Sequence, residues 1–479
     1  MRTISLSRAS TVRSRLTTLA VVGSSLVLAS CGDGIDEGVG GQATDRPATA
    51  PTTTEPAVRT LPTLEFTDLE LDITDTSAQY SGARTALHLA DGSWLAAGYD
   101  NHSTRGQPEP GAVWRSDDLS NWTRVGDGIS DESGQQVIAS LVAVDDRIIA
   151  AGTNFVRDDL EADLPTYDAD VWVSDDGADS FRKVHLADDA AVNGAASLLG
   201  AVYAWGYEFD DGGIGRGQIW RSDDHGDSWQ HLSPAASPQP GAAVTPLGPV
   251  QQVVQWDDTL VAVGFSNLGD PDGSDYPLDE IALGSATETW EPLDITLSYS
   301  DDQGASWRTT TPVGLSGVAD AQIAYSAAVV GDHLVLSGMS AQQGLMFDPD
   351  ELIDIDDLEF DPEFDFESPL AEARLWTCDF VLQSCAAVEM RDRGYDLVIS
   401  TIAVADGLVY AAVTGIDEEP FATVDRLYVF DPASAELRSQ RLPAWIDQVN
   451  EIVTDGDELL LFGHGPDSDL LQVARASTG

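Results

Sequence analysis

An eight-residue phrase occurs twice in this chain without error. Residues 222–229 and 300–307 both read Ser-x-Asp-x-Gly-x-Ser-Trp. In such a phrase the short oxygen-bearing side chains bond nearby backbone N–H groups, and glycine permits a positive φ, while the aromatic ring packs back beneath the turn. The phrase therefore predicts a self-stabilised hairpin turn, and it constrains the architecture more than the function.

Two imperfect copies precede these phrases. Residues 174–181 carry Ala for Gly and Phe for Trp, and residues 116–122 are one residue short. The four phrases resemble the Asp-box of bacterial-neuraminidase-type (BNR, sialidase-like) repeats, and the resemblance implies a β-propeller. We interpret the shared positions as structural; they are Ser116, Asp118, Trp122, Ser174, Asp176, Phe181, Ser222, Asp224, Gly226, Trp229, Ser300, Asp302, Gly304 and Trp307.

A second pattern repeats along residues 61–479. An apolar strand, a tight Asp/Gly turn and a strand of small apolar residues ending in Gly or a near equivalent recur seven times, at 86–98, 141–152, 196–206, 253–264, 327–338, 402–415 and 451–463. Each of the first six copies is followed by another hairpin, which contains the Asp-box phrase in four cases. Four antiparallel strands per repeat predict an all-β, seven-bladed β-propeller.

The seventh repeat is one strand short. After its hairpin it has a single further strand, predicted at 469–474, before residue 479. The segment 64–73 alternates apolar and polar residues for most of its length and precedes the first hairpin. We expect this N-terminal segment to supply the missing fourth strand, which closes the ring and removes open strand edges.

The first thirty residues indicate export. They contain four Arg, no acidic residue and an apolar run at 16–29, and they end at Leu28-Ala29-Ser30-Cys31, which resembles a bacterial lipobox. The resemblance predicts a lipoprotein signal peptide at 1–30 and attachment of palmitate and other acyl chains to Cys31. A plain signal peptide with an incidental Cys is the alternative. Residues 31–60, rich in Gly, Ala, Thr and Pro, are predicted to form a flexible tether to the outer face of the cytoplasmic membrane, in the cell envelope.

The other two cysteines are Cys378 and Cys385. An even pair in an oxidising compartment predicts a disulfide. When the repeats are aligned on the strand before the second turn, Cys378 falls on the Ser position of the Asp-box and Cys385 on its Trp position. The disulfide is therefore expected to close the same hairpin that the Ser and Trp positions close elsewhere.

Charge limits the partners. Without its signal the chain has 20 basic and 81 acidic residues, a net charge of −61. A field of this sign repels nucleic acid and anionic lipid surfaces, so contact with the membrane is expected through the lipid anchor only. We expect an envelope protein or a carbohydrate as the partner, and the acidic surface favours a cationic one.

Two long insertions, at 266–294 and 340–373, connect the second and third strands of adjacent blades. The second insertion alternates many carboxylates with apolar and aromatic residues, which is typical either of a binding lip or of an acidic loop packed on its blade. Residues 270–275 offer oxygen ligands for calcium, although their spacing differs from that of an EF-hand loop. We assign no metal ligand or cofactor, because the His residues lack zinc-site spacing.

Three functions remain open. A binding module is our interpretation, with a divergent sialidase-like or other glycoside hydrolase and a solute- or metal-binding lipoprotein as alternatives. Sialidases are Asp-box propellers that hold the sialic acid carboxylate with three Arg, and their first-blade motif corresponds here to Ala83-Arg84-Thr85-Ala86-Leu87, which keeps the Arg and loses Ile-Pro. We therefore assign no catalytic residue and treat Arg84 as an ordinary strand residue.

Overall fold

The computed structural model describes residues 61–69, 72–73, 81–100, 110–129, 134–156, 166–210, 213–232, 248–266, 294–315, 320–342, 371–379, 384–388, 390, 395–416, 423–446, 448–465 and 468–478. The predicted signal peptide, Cys31 and the tether at 31–60 lie outside these residues. The described part of the chain contains strands and turns and no helix. Within it there is accordingly no helix long and apolar enough to cross a bilayer.

Twenty-nine strands are defined within the described residues. They are β1 (Thr67–Leu69), β2 (Asp72–Ile73), β3 (Ser81–His88), β4 (Trp94–Asp100), β5 (Gly111–Ser116), β6 (Asn121–Val125), β7 (Gly134–Val144), β8 (Arg147–Val156), β9 (Thr166–Ser174), β10 (Arg182–Ala187), β11 (Ala190–Leu198), β12 (Ala201–Asp210), β13 (Gly213–Ser222), β14 (Gln230–Leu232), β15 (Val250–Trp256), β16 (Thr259–Ser266), β17 (Asp294–Ser300), β18 (Arg308–Thr310), β19 (Asp320–Val330), β20 (His333–Gln342), β21 (Ala371–Asp379), β22 (Ser384–Ala387), β23 (Tyr395–Ala405), β24 (Leu408–Ile416), β25 (Thr423–Asp431), β26 (Glu436–Arg441), β27 (Gln448–Asp455), β28 (Glu458–Gly465) and β29 (Ser468–Ser477).

These strands form seven antiparallel sheets, the blades of a propeller. Blades 1 to 6 each take four consecutive strands, from β3–β6 to β23–β26, and blade 7 combines β27, β28 and β29 with β1. The first strands of neighbouring blades contact one another around the ring, including β27 with β3. The predicted seven-bladed, all-β propeller is confirmed.

The N-terminal segment closes the ring, but not as one strand. Thr67–Leu69 pairs with β29 as the fourth strand of blade 7, whereas Asp72–Ile73 pairs in parallel with β6 of blade 1. Similar parallel bridges, Asp127 to Ser180 and Val313 to Ser384, join other neighbouring blades. The prediction that residues 64–73 form a single strand was therefore wrong in extent, because this segment also crosses from blade 7 to blade 1.

The start of the same segment packs on blade 6. Leu61 and Leu64 are buried in the cluster between blades 6 and 7. The Gln440 side chain accepts a hydrogen bond from the Leu64 N–H at 3.0 Å and donates to its carbonyl oxygen at 3.2 Å. We call residues 61–73 the closing segment, since its described parts contact three consecutive blades.

The hydrophobic core lies between the blades. Seven clusters of buried side chains are found in the described residues, one at each interface between neighbouring blades. At the interface of blades 7 and 1, Trp122 and Phe462 meet edge to face with ring centroids 6.2 Å apart. Alternating strand side chains point to opposite sheet faces, so each blade supplies two adjacent core layers.

Candidate functional site

Two faces of the propeller differ in what they carry. Within each blade, the turns between first and second and between third and fourth strands lie on one face, here called the turn face. The remaining connections lie on the opposite face, here called the loop face. The Asp-box-like turns at 116–122, 174–181, 222–229 and 300–307, here called the repeat turns, all connect third to fourth strands and so lie on the turn face.

The repeat turns use their polar groups internally. In blade 3, Asp224 Oδ1 accepts hydrogen bonds from the Ser222 hydroxyl and the Ser228 N–H, both at 2.8 Å, while Gly226 N–H donates to Ser222 Oγ at 2.7 Å. The Trp229 indole donates back to the Gly226 carbonyl at 3.2 Å. Blade 4 repeats this set through Ser300, Asp302, Gly304, Ser306 and Trp307.

The two imperfect turns follow the same plan with local changes. Ala178 occupies the Gly position with φ of 75°, and its N–H donates to Ser174 Oγ at 2.9 Å. In the shorter turn, Leu119 takes φ of 64° and its carbonyl accepts the Trp122 indole N–H at 2.8 Å. Asp176 and Asp118 accept the neighbouring backbone N–H groups in both turns.

These hydrogen bonds stabilise the ionised carboxylates. The Ser228 hydroxyl and N–H hold the pKa of Asp224 at about 2. Ser180 does the same for Asp176, and the Asn121 N–H and amide do so for Asp118. The pKa of Asp302 is also lowered, chiefly by Ser306. Each carboxylate thus accepts hydrogen bonds within its own turn in its charged form.

The repeat turns also contact the preceding blade. Arg147 of blade 2 donates to the Asp224 carbonyl at 3.1 Å and lies 2.9 Å from Asp227 Oδ2, both in the blade 3 turn. In blade 3, the Tyr203 hydroxyl donates to the carbonyl of Gln303 in the blade 4 turn at 3.1 Å. The repeat turns therefore also hold neighbouring blades together, a role that the sequence pattern did not indicate.

In blade 5 a disulfide takes the place of this hydrogen-bonded turn. Cys378 and Cys385 are bonded and lie opposite each other in the ladder of β21 and β22. Cys378 pairs with Leu334, the second residue of β20. Ser300 pairs in the same way with Leu260, the second residue of β16, in blade 4. The predicted disulfide is confirmed, at the register that the alignment of the repeats indicated.

The first strand of each blade, here called the inner strand, carries a β-bulge. In six blades the residue before the bulge pairs with a glycine: Gly98, Gly152, Gly206, Gly264, Gly338 and Gly463. A Cβ at Gly206 would overlap the carbonyl oxygen of Ala191, and one at Gly338 that of Ile323. At these two positions a side chain would therefore clash with the backbone of the inner strand.

Arg84 is the bulged residue of blade 1. Its guanidinium carbon lies 5.4 Å from the centre of the Tyr99 ring, in cation–π geometry. Among the described residues of the inner strands it is the single arginine. These strands therefore do not bring three arginines together, the arrangement by which sialidases hold a carboxylate.

An ionic cluster lies on the outer half of blade 2. Asp170 is fully buried on β9, with its Oδ2 2.7 Å from Lys183 Nζ and its Oδ1 3.1 Å from His185 Nδ1. Asp168, two residues earlier on the same sheet face, has a raised pKa because of burial and the neighbouring Asp170. Lys183 is the only lysine of the chain, and it supplies the positive charge that the buried carboxylate requires.

The same cluster contains a set of metal-ligand types. Asp168, Asp170 and His185 offer two carboxylate oxygens and one imidazole nitrogen within 4.8 Å of one another. The Lys183 ammonium already neutralises the buried carboxylate, so we interpret the cluster as an ion-pair network. Its partly exposed members, Asp168, Lys183 and His185, can accept and donate hydrogen bonds at the blade edge.

Aromatic rings gather at the loop-face ends of blades 2 and 3. Tyr167 on β9 stacks on Phe209 on β12, with centroids 4.4 Å apart and planes at 24°. Tyr207 meets Phe209 edge to face at 5.1 Å and is buried, while Tyr167 and Phe209 are half-buried. We call Tyr167, Tyr207 and Phe209 the aromatic cluster.

The aromatic cluster and the ionic cluster occupy opposite sheet faces of one strand. Tyr167 faces blade 3, whereas its neighbour Asp168 shares a face with Asp170. Neither group is recognisable from the sequence, because Tyr167 and Phe209 are far apart along the chain and neither strand carries a recognisable motif. The one available signal was the single lysine within a strongly acidic chain.

The proposed calcium segment at 270–275 and the interiors of the insertions, 267–293 and 343–370, lie outside the described residues. Their flanking strands are described, however. β16 ends at Ser266 and β20 at Gln342, so both insertions leave from the loop face, like the connections near the aromatic cluster.

No family model matches the sequence, and no curated protein matches it. Similar solved structures include a GH74 xyloglucanase from Xanthomonas campestris, at 14% identity and TM-score 0.44, covering 84% of this chain and 52% of that one. An α-L-arabinofuranosidase from Fusarium graminearum is 11% identical with TM-score 0.43, covering 85% and 96%. Trypanosoma rangeli sialidase is 10% identical with TM-score 0.44, covering 87% and 59%. These likenesses assign neither an activity nor a ligand to this chain.

Proposed function

We propose that this protein is a lipid-anchored, extracytoplasmic binding module that holds a carbohydrate at the loop face of blades 2 and 3. The observation that carries the proposal is the aromatic cluster, in which the half-buried rings of Tyr167 and Phe209 stack at the loop-face ends of two neighbouring blades. Sugar rings present C–H faces that pack on aromatic rings, and their hydroxyls bond nearby polar groups.

The turn face offers a poorer binding surface. Its repeat-turn carboxylates already accept hydrogen bonds from their own turns, and Arg147 and Arg221 bond the turn of the next blade. A ligand on that face would have to displace these contacts. The strands that precede the two acidic insertions end at the loop face, and the charge of the insertions favours a cationic group on the ligand or its carrier.

Affinity electrophoresis through gels containing cell-wall polysaccharides tests the carbohydrate proposal. Tyr167→Ala and Phe209→Ala should each weaken retention at least about tenfold, because they remove stacking surface. Leu199→Ala, at the turn-face end of blade 3, is the control and should migrate like the wild type. Unchanged retention of both aromatic variants, with wild-type folding, would contradict the proposal.

A glycoside hydrolase is the second candidate, because Asp168 and Asp170 form a carboxyl pair on one sheet face. Asp170 is fully buried and paired with Lys183, however, so it is not presented to a substrate. Release of reducing sugar by the purified protein, lost in Asp168→Asn, would favour the hydrolase. Stable binding without release favours the module.

The anchor is a separate part of the proposal, supported by the basic start and the Leu-Ala-Ser-Cys sequence at 28–31. Wild-type protein should be recovered with membranes, and Cys31→Ser should be released into the soluble envelope fraction, because acyl chains supply the attachment. A substitution at the preceding position, Ser30→Ala, is the control and should leave attachment intact. A Cys31→Ser variant that stays membrane-bound would refute lipidation.

A further inference from the structure

The residue after each inner-strand bulge occupies an equivalent place between blades. In blades 2, 4 and 5 these residues are hydrogen-bonded: the Ser140 hydroxyl donates to the Ala195 carbonyl at 2.9 Å, and the Ser326 hydroxyl donates to Gln252 Oε1 at 3.1 Å. Buried polar groups in folded proteins are nearly always paired in this way. The full set is Thr85, Ser140, Gly194, Gln252, Ser326, Thr401 and Glu451.

Glu451 and Thr85 are the counterparts of Gln252 and Ser326 at the interface of blades 7 and 1. Gln252 follows the bulge of blade 4, and Ser326 follows the bulge of blade 5. In the same way, Glu451 follows the bulge of blade 7 and Thr85 follows that of blade 1. The hydrogen bond from Asn450 to the Ala83 carbonyl, 2.9 Å, holds the two strands at this level. The register thus directs Glu451 toward blade 1.

These two side chains differ from their counterparts in one respect. Glu451 is 2% exposed and Thr85 is 1% exposed. Among the described residues, Glu451 Oε2 and Thr85 Oγ1 have no hydrogen-bond partner. No described Arg, Lys or His forms an ion pair with Glu451. An orphaned buried carboxylate is costly, so it calls for a bound proton, ion or water.

We propose that Glu451 and Thr85 bind a hard cation, sodium or calcium, between the last and first blades. Carboxylate and hydroxyl oxygens are ligands that such cations take in proteins, with backbone carbonyls and water completing the shell. The bound cation neutralises the buried carboxylate and ties together the two blades that close the ring. This site is independent of the carbohydrate site on blades 2 and 3.

A proton competes with the cation for the same oxygen atoms. Burial raises the pKa of Glu451 well above its usual range, so without the cation the folded protein holds a proton on this group more tightly than the unfolded chain does. The unfolded chain releases that proton near the ordinary pKa. Cation binding must displace the proton, and the stabilisation by the cation should therefore grow from pH 5 to pH 8.

Thermal unfolding of the mature protein tests the site. Choline chloride keeps the ionic strength constant while sodium chloride or calcium chloride is added in separate series. The wild type should show a saturable rise in Tm with one of the two cations, larger at pH 8 than at pH 5, because ligands that bind only the folded state stabilise it by mass action. Glu451→Gln should lose this rise.

Two further variants make the result specific. Glu458→Gln removes a carboxylate from the same blade, one that pairs with Arg475 near the surface, and it should keep the full cation response. Thr85→Val removes only the hydroxyl and should raise the half-saturating cation concentration several-fold. An equal response in wild type and Glu451→Gln, or no saturable response in the wild type, overturns the proposal in favour of a protonated Glu451.

Discussion

The side-chain amide of Asn450, in the last blade, donates to the carbonyl oxygen of Ala83, in the first blade, across 2.9 Å. Asn193 makes the same contact to Val250 between blades 3 and 4, also at 2.9 Å. Both asparagines are bulged residues, and both acceptors immediately precede the bulge of the next blade. The junction of blades 7 and 1, here called the seam, is thus held by the same type of contact that joins blades 3 and 4.

The first prediction concerns these asparagines. Asn450→Ala and Asn193→Ala should each lower the free energy of unfolding by about 1 to 2 kcal/mol, because each leaves a backbone carbonyl without its donor. Urea titration measures the loss. Asn121→Ala, whose amide bonds an exposed carboxylate, is the matched control and should cost less. A seam variant as stable as the wild type would show that Asn450 does not hold the ring.

The second prediction concerns the closing segment. Deleting residues 64–73 should produce aggregation or a large fall in Tm, because it uncovers the edges of β29 and β6. Size-exclusion chromatography and calorimetry follow both effects. Gln440→Ala should give a milder loss, since it removes only the pair of hydrogen bonds to Leu64. A monomeric deletion protein with unchanged melting would refute the closure.

The third prediction concerns acid. The folded-state pKa of Asp224 is about 2, below the value of 3.8 that is usual for an aspartate, so the stabilisation it provides is present at neutral pH. That stabilisation is lost as pH falls from about 4 toward 2. The Tm difference between wild type and Asp224→Asn should therefore be largest near pH 7 and shrink on acidification. Asp258→Asn, in an exposed turn of blade 4, is the surface control measured alongside.

The fourth prediction concerns the disulfide. Replacing Cys378 and Cys385 together by Ser should lower the free energy of unfolding by about 2 kcal/mol, since the bridge closes a short loop in the unfolded chain. Urea titration with and without reductant gives the value, and reductant should leave the double variant unchanged. Two free thiols in protein isolated from the cell envelope would contradict the bridge.

The repeats predicted the fold because propeller blades are built from local contacts. Each hairpin turn lies within a few residues of its own phrase, as in Ser222 to Gly226, so its chemistry was visible in sequence. The alignment of Cys378 and Cys385 with the Ser and Trp positions was visible for the same reason. Seven such units, one of them a strand short, were enough to predict the number of blades and the ring closure.

The candidate site was not predictable in this way. The stacking of Tyr167 on Phe209 and the pairing of Asp170 with Lys183 depend on which sheet face each side chain occupies and on how neighbouring blades meet. The same holds for the division of the closing segment between two blades, and for the burial of Glu451 beside the seam. The sequence by itself determined the repeated strands and their self-contained turns. Only the tertiary structure decided the contacts between blades, because these join residues whose spacing along the chain carries no periodic signal.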